Sequence, residues 1–109
     1  MDVHPDGHTQ YLTHGIVRAR YRHGVEIPKL LKPGKVCTYE IGLWPTSNAF
    51  LTGHRIRVEI TSSDFDRYAR NQNVAAAPGR TAETRVAHQS VFHSGDNASH
   101  LVVPVIPMR

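Results

Sequence analysis

The chain has 109 residues, 13 Lys+Arg against nine Asp+Glu, a net charge of +4 with histidine neutral, and one cysteine. That length suits one domain and excludes two, and a lone Cys37 excludes both an internal disulfide and a Cys-rich zinc module. Basic residues that stand singly or alternate with apolar ones lack the clustered run of a dedicated nucleic-acid binder, so no nucleic-acid partner is expected.

Eleven Val and six Ile against six Leu favour strands over helices, because branched side chains fit a pleated, half-buried surface. The composition predicts an all-β fold. Residues 16–22 alternate Val17, Ala19 and Tyr21 with Arg18, Arg20 and Arg22, which is the period-two pattern of a strand with one wet face. Lys32-Pro33-Gly34-Lys35 reads as a tight turn, and residues 36–43 as the next strand. Thr52-Gly53 is a second turn. Residues 54–62 form the clearest strand pattern, with Ile56, Val58 and Ile60 opposed to Arg55, Arg57, Glu59 and Thr61. Residues 63–83 show no sustained period and are expected to be a long loop, either docked against a neighbour or the most mobile part of the fold. Residues 84–92 and 99–106 read as the last two strands, separated by Ser94-Gly95-Asp96-Asn97. Pro104 interrupts the longest apolar stretch, at residues 101–106, and the N-terminus has no apolar core of a secretion signal. No membrane partner is expected, and the reading leans cytoplasmic.

Chemistry-bearing patterns are sparse. An α/β-hydrolase nucleophile sits in a Gly-x-Ser-x-Gly elbow because that strained turn tolerates only small neighbours, and no such elbow is present. No spacing singles out a Ser, His and Asp trio, so no catalytic residue is assigned. His4 and His8 flank the turn Pro5-Asp6-Gly7, where a four-residue spacing does not place them on one helical face. His88 and His93 fall on opposite faces of a strand. These read as surface and turn histidines, and no metal ligand set or cofactor site is expected. Arg18, Arg20 and Arg22, with Arg55 and Arg57, read as a solvated sheet face broken by Glu40 and Glu59. Trp44 reads as a buried anchor at a strand end.

The run Asn48-Ala49-Phe50-Leu51-Thr52-Gly53-His54-Arg55-Ile56-Arg57, followed by Ser62-Ser63 and Phe65, resembles the C-terminal β domain of serine hydrolases related to cocaine esterase, X-Pro dipeptidyl-peptidase and alpha-amino-acid ester hydrolases. The likeness extends to Asp2-Val3-His4-Pro5-Asp6-Gly7, Gly15-Ile16-Val17-Arg18-Ala19-Arg20-Tyr21-Arg22, Leu43-Trp44-Pro45-Thr46 and the segment from Ser99 to Pro107. It covers essentially the whole chain. The family's loop pattern is followed from Ser62 to Asn73, with Asp66 in place of a proline and Ala69 in place of an aspartate. Val74-Ala75 then stands where the family has Thr-Gly.

The resemblance implies a jelly-roll-like (galactose-binding-like) β-sandwich over residues 1–109. Such a domain is non-catalytic and packs in cis on an α/β-hydrolase domain that carries the Ser-Asp-His triad, forming one wall of its substrate site. None of the triad positions falls in the matched segment. Asp2-Val3 looks like the tail of a strand, and five or six strands are fewer than the roughly eight of a jelly roll, so the sandwich is expected to be incomplete on its N-terminal side and prone to self-association. The alternative is a free-standing β-sandwich module that binds a sugar, a peptide or an acidic ligand.

Overall fold

A computed structural model describes residues 1–107. Among them there is no α-helix, and the regular elements are three short strands and two single-turn 3-10 helices. The chain is all-β. No helix among the described residues is long and apolar enough to cross a membrane.

The chain divides into two compact units, Met1–Arg70 and a second that begins at Asn71. In the first, β1 (Asp2–Val3) is the central strand of an antiparallel sheet, flanked by β2 (Thr9–Gln10) and β3 (Arg55–Ile56). Asp2 faces Gln10 on one side and Ile56 on the other. The β1–β3 ladder runs one residue further, because Arg57 N–H donates to Met1 O at 3.0 Å and the Met1 ammonium donates back to Arg57 O at 2.9 Å.

β1 and β2 are joined by the turn that the sequence places at Pro5-Asp6-Gly7. His4 N–H donates to His8 O at 2.8 Å and Gly7 N–H to His4 O at 3.0 Å. The Asp6 carboxylate accepts from His8 N–H at 2.9 Å, the local bond that makes aspartate a turn residue. Gly7 has φ +89° and Gly53 φ +86°, a left-handed conformation that glycine adopts without steric cost. The Gly53 turn closes by His54 N–H to Leu51 O at 3.0 Å, and the turn at residues 32–35 by Lys35 N–H to Lys32 O at 3.2 Å. Each falls where Gly and Pro mark it in the sequence.

The strand patterns are realised only in part. Of residues 54–62, only Arg55–Ile56 joins the sheet. Residues 16–22 do not form a ladder: Ala19–Tyr21 turn into a 3-10 helix, and the Arg22 guanidinium reaches back to Ala19 O at 2.9 Å and across to Lys29 O at 2.7 Å. Residues 36–43, 84–92 and 99–106 carry no strand. Period-two alternation sets which side chains share a face, whereas a ladder also needs a neighbour to satisfy N–H and C=O groups. Beyond Arg57 the described residues supply no such neighbour. The Arg18, Arg20, Arg22 row is therefore not laid out along a sheet.

Burial follows the same limit. Val3, 8% exposed, and Asp2, 2% exposed, are the buried residues among those described. Trp44 is 66% exposed, so the expected buried anchor is not formed; its backbone is held instead, with Trp44 N–H donating to His14 O at 3.1 Å and the Thr13 hydroxyl to Trp44 O at 2.6 Å.

In the second unit the backbone is tied by Arg85 N–H to Gln72 O at 3.0 Å and Ser99 N–H to Phe92 O at 2.9 Å, the latter spanning the 3-10 turn Gly95–Asn97. The Gln72 amide donates to Thr81 O and the Asn73 amide to Arg85 O at 2.9 Å. The long loop at residues 63–83 is thus divided. Its first part belongs to the first unit and its remainder is cross-linked within the second.

Candidate functional site

The centre of the sheet holds a polar cluster rather than an apolar one. Asp2 lies on β1 with its side chain shielded, and the turn at Gly53 delivers His54 beside it. His54 Nδ1 donates to the Asp2 carboxylate at 2.9 Å to Oδ1 and 3.0 Å to Oδ2, and the Asn48 amide donates to Oδ2 at 3.1 Å. Burial works to raise the Asp2 pKa. Hydrogen bonds from His54 and Asn48, together with the positive potential of His54 and His4, outweigh it, and the carboxyl titrates below its ordinary value. Asp2 is therefore an anion at neutral pH.

Two more imidazoles stand next to this pair. The His4 ring lies 4.3 Å from that of His54, tilted by 41°, and the His8 ring meets His4 edge-on at 5.1 Å between centroids. His4 Nε2 is buried without a hydrogen-bond partner. His4 and His8 flank a turn, as the sequence indicates, and their rings nonetheless meet. A tight antiparallel turn, not a helix, brings residues four apart side by side across its two arms.

A second cluster ties the start of the long loop to the segment after β2. The His14 ring is hydrogen-bonded through Nδ1 to the Tyr11 hydroxyl and through Nε2 to the Tyr68 hydroxyl, the latter at 2.7 Å. Arg67 donates to the Tyr11 hydroxyl at 3.3 Å with its guanidinium 5.7 Å from the ring centroid, and lies 3.8 Å from Asp64. The hydrogen bond to Tyr11 and the charge of Asp64 raise the Arg67 pKa.

Neither cluster contains a serine, threonine or cysteine; the hydroxyls hydrogen-bonded to the His14 ring are those of Tyr11 and Tyr68. Arg57 pairs with Glu59 at 2.5 Å on the surface, as the expected mixed face implies. His88 and His93 are exposed. Asp2 and His54 are the residues that sequence reasoning did not join. Each sits inside a motif, Asp2-Val3-His4-Pro5-Asp6-Gly7 and Thr52-Gly53-His54-Arg55, but no local spacing links residues 52 positions apart.

Comparison with known proteins places this arrangement. Residues 1–102 match the family described as X-Pro dipeptidyl-peptidase C-terminal non-catalytic domain, and the chain belongs to that family. It is 39% identical over 108 residues to a cocaine esterase of a Rhodococcus species, an alignment covering 97% of this chain and 19% of that protein. It is 30% identical over 122 aligned positions to putative serine esterases of Mycobacterium bovis and Mycobacterium tuberculosis, covering 96% of this chain and 18% of each. The chain thus spans about a fifth of the length of the curated relatives it matches. No solved structure matches it.

Proposed function

We propose that this chain is the β domain that packs in cis on an α/β-hydrolase catalytic domain of the esterase or X-Pro dipeptidyl-peptidase kind and forms one wall of its substrate site. The observation that carries the reading is the exposed surface. The chain exposes 9945 Å², where a compact folded protein of 12.2 kDa exposes about 6,000 Å². Large apolar side chains are part of that surface: Leu43, Trp44, Leu51, Ile56, Val58 and Ile60 are all exposed. Apolar surface on that scale is stabilised by cover from another layer, and relatives about five times as long have the polypeptide to provide it. A jelly-roll-like sandwich is completed when strands from such a partner pair with these edges.

The test is ester turnover by the product of the complete gene, compared with the same product lacking the segment corresponding to residues 1–109. The proposal expects hydrolysis of a nitrophenyl ester by the complete product and a loss of soluble activity on removing the segment. A reading frame that starts at Met1 with its own initiation signal, and no Gly-x-Ser-x-Gly segment upstream, contradicts it and favours the free-standing module.

A further inference from the structure

We propose that Asp2, His4 and His54 form a binding site for a first-row divalent transition cation, with Zn²⁺ as the probe. One ligand atom from each residue lies within 4.8 Å of the other two. Tetrahedral zinc with bonds of about 2.0–2.1 Å holds its ligands about 3.3 Å apart, so closure draws any pair of these atoms together by about 1.5 Å at most. Two imidazole nitrogens and one carboxylate are a donor set suited to zinc and its neighbours rather than to Ca²⁺ or Mg²⁺, which take oxygen ligands.

Two features argue for a cation over a purely structural hydrogen-bond pair. The Asp2 carboxylate is already braced by Asn48 at 3.1 Å, the kind of outer partner that orients metal ligands. Second, His4 Nε2 is buried with no partner, although buried polar atoms normally have one. A cation beside Asp2 and His54 supplies it. His54 is shielded, its side chain 10% exposed, and a water completes four-coordination.

Binding replaces the proton shared between His54 Nδ1 and Asp2. That proton moves to His54 Nε2 in the neutral ring, or to solvent when the ring is doubly protonated. No redox step is involved. The consequence is structural: Asp2 comes from β1, His4 from the hairpin turn and His54 from the Gly53 turn, so one ion fastens the N-terminal hairpin to the Gly53 turn.

Equilibrium dialysis of the complete gene product against micromolar ZnCl₂, with metal content read by mass spectrometry and compared with the same product carrying His4→Ala, tests this. One zinc per chain is expected. His4→Ala removes the unpartnered nitrogen and leaves the His54–Asp2 bond in place. It is expected to lower zinc affinity by about tenfold or more, since even outer-shell changes cost 10–100-fold. His23→Ala, on the exposed surface, leaves affinity unchanged. A circular dichroism spectrum of His4→Ala matching the parent separates loss of the site from loss of the fold. Absence of retained zinc, or equal retention by His4→Ala, overturns the proposal.

Discussion

At the scale of single residues, the most consequential contact is the one that places an aspartate where a small sheet would otherwise bury an apolar side chain. Asp2 is tolerated there because His54 and Asn48 satisfy its carboxylate; a buried charge without such partners is strongly unfavourable. Its folded pKa lies below the ordinary value of 3.8, so the stabilisation is fully present above that value and is lost as pH falls through the folded pKa. Thermal melts in the presence of EDTA are expected to show Asp2→Asn less stable than the parent at pH 7, with the gap shrinking below about pH 4. A gap that widens on acidification contradicts the assignment. Gly15 is a second sensitive point. A Cβ there clashes with Gly42 O, an approach that neither backbone can relieve without moving, so Gly15→Ala is expected to destabilise by about 1–3 kcal/mol in a denaturant titration. Loss of the Tyr68 hydroxyl in Tyr68→Phe is expected to cost about 0.5–1.5 kcal/mol by the same measurement, through its bond to His14.

At the scale of elements, what was legible in the sequence was punctuation and class. Gly7, Gly34 and Gly53 each mark a hydrogen-bonded turn that is present, and the Val and Ile excess signals an all-β chain. Ladder extent was not legible, because the alternation of Ile56, Val58 and Ile60 says which face is apolar and nothing about whether a partner strand lies alongside. The polar cluster was missed for a related reason: Asp2 and His54 meet only through the register of β1 with β3, a tertiary fact with no local trace. That register also makes a prediction. Met1 pairs with Arg57, so a segment preceding Met1 in a longer protein continues the ladder along Val58 and Ile60. Hydrogen exchange is expected to show the amides of residues 58–60 unprotected in the 109-residue chain and protected in a product extended upstream by several strands. Equal exchange in both contradicts it.

At the scale of the whole molecule, the exposed apolar area decides the behaviour in solution. Uncovered apolar side chains and unpaired strand edges are stabilised by pairing with another chain, so the isolated chain is expected to self-associate. Its net charge of +4 is too small to hold copies apart at physiological salt, where screening acts within about 8 Å. Catalysis is not expected from it alone, since the family it belongs to is described as a non-catalytic domain. The most direct test of the proposed function is sedimentation velocity of the 109-residue chain mixed with a separately expressed catalytic domain, which that proposal expects the same gene to encode. A one-to-one complex that replaces the self-associated species is the expected result. A chain that sediments as a sharp monomer alone and ignores the catalytic domain contradicts the account.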